Sequence, residues 1–241
     1  AIDRTNWFWG KSAINIFMLS ICFEGIAIPI LWRVLPKDGT SSGKEQITLC
    51  QRFVDGFGDD CIEGLLADRE FANKQFITWL DSLEIPFYIR VKGDSMISIK
   101  GRKWQKASYV FSDVKPYKTK VFGMRSEIFG GKYYLTASRN ERGELMIIVT
   151  NADYKNAIAI YLRRWEIESL FQALKGRGFR FEETHMTYPE RIEKMIVILA
   201  IGFAWAHKVG EWRAKLKPIR LKKFNNQLRP QYSYFRYGLD F

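Results

Sequence analysis

Twenty consecutive residues, Ala13 to Trp32 (AINIFMLSICFEGIAIPILW), carry a single charge and are otherwise almost wholly apolar. A run of that length could span a bilayer as a helix. Its interior argues against that use, because Glu24-Gly25 sits in the middle, where a carboxylate is expensive in lipid. The same dipeptide makes a good turn between two β-branched runs, INIFMLSIC and IAIPILWRV. Strands buried on both faces read as continuous apolar runs, so the stretch is expected to be a buried β-hairpin. A second apolar segment, Ile192 to Ala206, is too short to span, holds Glu193 and Lys194 near its start, and is expected to be a core helix. The opening AIDRTNW has no basic n-region, so a cytoplasmic location is expected.

Around the hairpin the chain reads as an α/β protein. Strands over roughly Ala1–Trp9, Ala13–Cys22 and Ile26–Leu35 suit an antiparallel meander with turns at Gly10-Lys11 and Glu24-Gly25. A helix follows from about Lys44 to Phe57, then a short apolar run, Ile62–Ala67, ending at Asp68. A helix over about Ala72–Leu83 and a strand over Ile85–Val91 complete the series. Three strands, helix, strand, helix, strand is the order of an RNase H-like core, a mixed sheet flanked by helices. Residues 92–150 change to short alternating runs (Tyr109–Phe111, Lys120–Phe122, Tyr133–Thr136, Leu145–Val149) separated by turns, which predicts a β-rich insertion. From Asp153 the period is helical as far as Lys175, before Gly176, and a second helix is expected from about Pro189 to Glu211. The expected organisation is thus 1–91 as the first part of the core, 92–150 as a basic insertion, 151–210 as the helical second part, and 211–241 as a basic aromatic tail with no element assigned.

Composition narrows the function. At 47% hydrophobic and 15% aromatic the chain has the material for a core, which excludes wholesale disorder. Cys22, Cys50 and Cys61 form no CxxC pair, and His185 and His207 are the only histidines, so a disulfide scaffold and a zinc ribbon are excluded. The net charge of +12 is concentrated in two blocks: residues 100–142 hold 11 basic against 3 acidic side chains, and 208–241 hold 9 against 2. Such blocks attract polyphosphates. They also suit a solvated surface, and charge alone favours neither.

Within YLRRWEIESLFQALK a helix places Tyr161, Arg164, Glu168 and Lys175 within an arc of roughly 60°, taking about 100° per residue. Ile167, Leu170 and Leu174 form a neighbouring apolar face, so the helix can pack while presenting that stripe. A surface salt-bridge ladder built on the Arg164–Glu168 i,i+4 pair would account for the same spacing.

Tyr, two residues, Arg, three residues, Glu, six residues, Lys resembles the YREK signature of the insertion-sequence-four family of DDE transposases. AIDRTNW resembles that family's first-strand block, with Asp3 as its first acid, and LLADREF resembles its second block, with Asp68. Glu168 supplies the third acid, in the required order and after a large gap that suits a β-rich insertion. The resemblance implies an RNase H-like catalytic core that cuts at transposon ends and transfers the strand into target DNA. It implies Asp3, Asp68 and Glu168 as catalytic residues holding two Mg²⁺ ions, with Mn²⁺ able to substitute, and it implies Tyr161, Arg164 and Lys175 as DNA contacts. Double-stranded DNA, as transposon ends and target, a homodimer on that DNA, no membrane, and a nucleoid-associated location follow from the same resemblance. Hard divalent cations want carboxylate oxygens, and two of them serve phosphoryl transfer well. Three clustered carboxylates repel one another, so a site partly unformed without metal is expected.

Several other residues are read more modestly. Glu70, beside Arg69, is expected on the surface at the start of the next helix, and Thr5 and Asn6 are expected to cap the strand. Trp104 is expected in the core rather than stacked on a base, and His185 has no evident catalytic partner. Tyr232, Tyr234, Phe235 and Tyr237, interleaved with Arg229 and Arg236, suit either nucleic-acid contact or a tail docked on the core. Only two residues precede Asp3 and no end-recognition region is visible, so a fragment or truncated gene is expected. A domesticated DNA-binding remnant and a nuclease that cuts without joining are the competing readings.

Overall fold

The computed structural model describes every residue of the chain except Arg102, Arg177, Asn225 and Asn226. β1 (Ile2–Trp9), β2 (Ser12–Phe23) and β3 (Ile26–Val34) form the expected antiparallel meander. Its second turn has two residues, Glu24 (φ 49°) and Gly25 (φ 87°), both left-handed, a geometry that matches the twist of the flanking strands. β3 lies at the sheet edge, where Pro29 is tolerated, and the register shifts between Leu19 and Ser20 beside it. The apolar stretch 13–32 is this hairpin, and among the described residues no helix is long and apolar enough to cross a membrane.

α1 (Gly43–Phe57) starts on a capping box in which Glu45 N–H donates to Ser42 Oγ (3.3 Å) and Ser42 N–H donates to Glu45 Oε2 (2.6 Å). β4 (Leu65–Ala67), a 3₁₀ turn (Arg69–Phe71), α2 (Lys74–Ser82) and β5 (Phe87–Val91) follow. β1, β4 and β5 run parallel, so the order β3-β2-β1-β4-β5 is the mixed sheet expected of an RNase H-like core.

The β-rich stretch continues this sheet. β6 (Met96–Ile99), β7 (Gln105–Lys106), β8 (Thr119–Ile128), β9 (Gly131–Arg139) and β10 (Leu145–Thr150) extend it to ten strands, with β10 paired antiparallel to β5. β10 can occupy an interior position because it is apolar on both faces: Ile147 and Val149 enter one core and Ile148 another. The expected strand at Tyr109–Phe111 is instead part of a helical turn, α3 (Ala107–Val110). Buried Ala107, Phe111 and Val114 recur at i, i+4 and i+7, a helical period that three residues are too few to reveal.

α4 (Ala157–Leu162), α5 (Trp165–Leu174) and α6 (Pro189–Leu216) complete the core, and α1 and α2 cover the opposite face. The single helix expected over 153–175 is therefore two, interrupted at Arg163-Arg164, where the backbone switches to i→i−3 bonding (Arg164 N–H to Tyr161 O, 2.9 Å). α6 runs five residues past the expected Glu211, because Arg213 donates to Tyr237 O (3.0 Å) and lies 4.3 Å from the Tyr237 ring. It is a core helix on one face only: Ile192, Ile196 and Phe203 are buried, whereas Ile201 and Trp205 are 62% and 71% exposed. The tail is ordered: β11 (Leu221–Phe224) and β12 (Gln227–Pro230) form a hairpin, and α7 (Tyr234–Leu239) docks on α6 through Phe235. Gly210 and Gly238 allow that close crossing, since a Cβ at either would overlap the backbone of the other helix.

Candidate active site

Strand alternation aims the first two acids. On β1, Ile2 and Arg4 face the α1–α2 side, which turns Asp3 and Thr5 toward α5, above Met18 and Ile16 of β2. On β4, Leu65 and Ala67 enter the same core as Ile2, and Leu66 turns to the α4 side. Asp68 immediately follows. The parallel register pairs Ile2 with Ala67, so Asp3 and Asp68 are adjacent across the sheet.

Glu168 arrives on α5, which is held down by Ile167, Leu170, Phe171 and Leu174 against the β2–β3 hairpin. The three acids meet through Arg164 at the helix interruption. Its guanidinium donates from Nη1 to Asp3 Oδ2 (2.8 Å), from Nη2 to Glu168 Oε1 (2.6 Å) and from Nε to Tyr161 Oη (3.1 Å). Tyr161 in turn donates its hydroxyl to Asp68 Oδ1 (3.3 Å), and Arg90 Nη1 lies 4.0 Å from that same oxygen. The i→i−3 turn places Tyr161 and Arg164 on one side of the chain, as the eclipsed i,i+3 geometry of a 3₁₀ turn requires. Arg164 is 4% exposed, so this is a buried hub and not a surface ladder.

Burial sets the electrostatics. Desolvation raises the Asp3 carboxyl from 3.8 to about 6, with the Arg164 charge and the Arg4 N–H pulling it back. Desolvation likewise pushes the Tyr161 phenol up to about 12. Burial works against the Arg164 cation, but the neighbouring Tyr161 and Asp3 outweigh it and hold the guanidinium charged. Among the described residues, no three His, Cys, Asp or Glu side chains are gathered closely enough to hold a metal ion. Asp3 and Glu168 share a cation that belongs to the chain itself, and Asp68 is linked to it through the Tyr161 hydroxyl.

Lys175 stands apart from the hub. Its Nζ donates to Asn6 O (2.8 Å), pairs with Glu182 (3.3 Å) and lies 5.2 Å from the Trp7 ring centroid. It shares with Asp3, Thr5 and Glu168 the wall of an open cleft of about 490 Å³.

Arg4 and Glu70 form a second polar cluster that sequence reasoning does not assemble. Arg4 grips Glu70 through two bonds (Nε–Oε1 2.9 Å, Nη2–Oε2 3.1 Å) and donates from Nη1 to Asn15 Oδ1 (2.8 Å). Glu70 is thus half-buried and not a free surface residue at a helix start. No local pattern marks a pair separated by 66 positions; the one available signal is that each lies one or two residues from an acid. Trp104 is 49% exposed, not in the core, and His185 stacks on Trp9 with centroids 3.5 Å apart. Asn6 is an exposed strand residue whose carbonyl holds Lys175. Of the tail aromatics, Phe235 is buried against Phe203 and Phe179, which selects docking for that residue.

A family model described as the transposase DDE domain matches residues 31–204. That span includes Asp68, Tyr161, Arg164, Glu168 and Lys175; Asp3 precedes it and is joined to it by the Arg164 bond. Among curated proteins, the chloroplastic stearoyl-[acyl-carrier-protein] 9-desaturase 3 of Arabidopsis thaliana is 42% identical over one stretch of 48 residues, 20% of this chain and 12% of the desaturase. Among solved structures, a piggyBac transposase synaptic complex with hairpin DNA aligns with a TM-score of 0.43 at 10% identity, over 72% of this chain and 39% of that one. The chain therefore spans well under half the length of either protein.

Proposed function

This chain belongs to the transposase DDE domain family, and on that premise we propose that it is the catalytic core of a DNA transposase which cuts at transposon ends and transfers the freed strand into target DNA. The Tyr161, Arg164, Glu168 and Lys175 spacing supports the further reading that it is of the insertion-sequence-four branch. The observation that carries the reading is the Arg164 hub, which binds Asp3 of β1 and Glu168 of α5 directly and is linked to Asp68, at the end of β4, through the Tyr161 hydroxyl.

Asp3, Asp68 and Glu168 present the carboxylate oxygens that a hard divalent ion takes, and once Arg164 lets go of Asp3 and Glu168 they would hold Mg²⁺ or Mn²⁺, two ions in this reading. When bound, the metal supplies activation of the attacking oxygen and stabilisation of the leaving one. The chain's own part is positioning. Arg164, released from Asp3 and Glu168, can grip a phosphate with its planar fork, while Lys175 at the cleft wall offers a point charge to the next. Tyr161, buried in the core beside Leu66 and Tyr88, orients Arg164 through its hydroxyl. A water oxygen bonds to phosphorus at the transposon end as the bond to the 3′-oxygen breaks, leaving a free 3′-hydroxyl. That hydroxyl then attacks a target phosphodiester and displaces the target's own 3′-oxygen. Two copies, each holding one end, would carry out the paired reaction.

The test is strand joining of pre-cut ends into a supercoiled plasmid with Mg²⁺ or Mn²⁺, run beside Glu168→Gln. Metal-dependent joined product from the parent, absent in the variant, is expected. Nicking without joining would make the chain a nuclease, and joining that survives Glu168→Gln would remove Glu168 from the site.

A further inference from the structure

The C-terminal hairpin is built against its own stability. β11 and β12 form a two-stranded sheet separate from the main one, with Lys222 directly opposite Arg229. Directly opposed like charges destabilise a strand pair, and a two-stranded hairpin alone is marginal in water. Leu221, Lys222 and Lys223 on β11 and all of β12 are exposed, so among the described side chains packing offers no compensation. Nor does charge. The two acids of residues 208–241 are engaged elsewhere: Glu211 pairs with Lys208 and His207, and Asp240 pairs with Arg236. Among the described residues no acid pairs with Arg220, Lys222, Lys223 or Arg229, and the Arg229 guanidinium donates only to Gln227 Oε1 (3.2 Å from Nε).

We propose that this hairpin is a second DNA-contact element, distinct from the cleft at Asp3 and Glu168, that seats on the phosphates of duplex DNA. The proposal rests on the reading that duplex DNA is the substrate. A polyanion removes the like-charge penalty that the free hairpin carries, and a two-stranded ribbon fits the major groove of B-DNA. Lys222 and Arg229 share one face and Lys223 occupies the other, so the ribbon can face a phosphate row on either side. Phosphate contacts position a protein without reading bases, so the contribution is independent of sequence.

The experiment is fluorescence anisotropy of the whole chain, in EDTA so that no cutting occurs, with duplex DNA of arbitrary sequence over roughly 50 to 200 mM salt. Lys222→Gln with Arg229→Gln is expected to shallow the slope of log K against log salt by about 2, one unit for each phosphate no longer neutralised. Lys222→Glu gives the sharper readout, because it places opposite charges across the hairpin. Its melting temperature should hold or rise while duplex affinity falls about tenfold, since a carboxylate that phosphate repels then stands where a cation attracted it. An unchanged slope in both variants, or an affinity loss that follows a fall in melting temperature, overturns the hairpin and leaves the transposase reading standing. Loss confined to single-stranded RNA, with duplex binding intact, also overturns it. A parent chain that binds no duplex at all overturns both proposals.

Discussion

Removing the Arg164 guanidinium should destabilise the metal-free protein by an amount that depends strongly on pH. In Arg164→Gln the bonds to Asp3 (2.8 Å), Glu168 (2.6 Å) and Tyr161 (3.1 Å) are lost together. Breaking a buried pair by removing one partner costs about 3–5 kcal/mol. The Asp3 and Glu168 side chains retain 15% and 31% exposure, so screening places the loss at the low end, about 3 kcal/mol at pH 8. Burial has raised Asp3 from 3.8 to about 6, so the stability associated with its protonated form is complete below 3.8 and is lost as pH rises through about 6. At pH 5 Asp3 is largely protonated in the parent as well and has little charge for Arg164 to balance. What remains is the partly exposed contact to Glu168 and the packing of the side chain, about 1 kcal/mol. Urea unfolding in EDTA at pH 5 and pH 8 should therefore show the gap between parent and variant widening by about 2 kcal/mol from the lower to the higher pH. A gap that is equal at both, or larger at pH 5, would refute the idea that Arg164 neutralises an ionised Asp3.

Three further outcomes follow from other parts of the fold. Tyr161→Phe keeps the buried ring but deprives Asp68 of its donor and Arg164 Nε of its acceptor, so a loss of about 1 kcal/mol is expected in the same urea assay, and a gain in stability would contradict it. Gly210→Ala puts a methyl group into the Tyr234 backbone and should release α7, giving faster amide exchange over 234–239 while β1 and β2 stay protected; unchanged exchange would show that the crossing is not tight. Ser42→Ala removes the cap of α1 at a cost of about 1 kcal/mol near neutral pH. Burial alone would raise Glu45, but its bonds to Lys37 and Ser42 hold it down at about 2, so its share of the stability is present above 4.5 and disappears as pH falls toward 2. The loss from Ser42→Ala should accordingly shrink in acid, and a constant loss down to pH 2 would separate the cap from that carboxylate.

The sequence is most informative where a local rule acts on neighbouring residues. The Glu24-Gly25 turn, the continuous apolar strands around it, the order of elements through Val91 and the Pro189 helix start all follow from short-range chemistry and are present as expected. The failures share a cause. The three residues 109–111 are too short a window to separate a strand from a helical turn, and the end of α6 depends on Arg213 meeting Tyr237, 24 positions away. Residue type alone sends Trp104 to the core, although nothing local reports whether a neighbour will cover it.

For the site, helix spacing alone groups Tyr161, Arg164, Glu168 and Lys175, whereas Asp3 and Asp68 are singled out by the resemblance of their sequence blocks to a known family. The arrangement of those side chains belongs to the assembled sheet. The Ile2–Ala67 parallel register sets Asp3 beside Asp68, and the interruption at Arg163-Arg164 turns a helix stripe into a buried guanidinium hub. Lys175 is carried away to Asn6 and Glu182, and Arg4 closes on Glu70 across 66 residues. Each of these is a contact between elements, set by strand pairing and by which charges burial forces together, and such contacts have no local signature for a sequence to display.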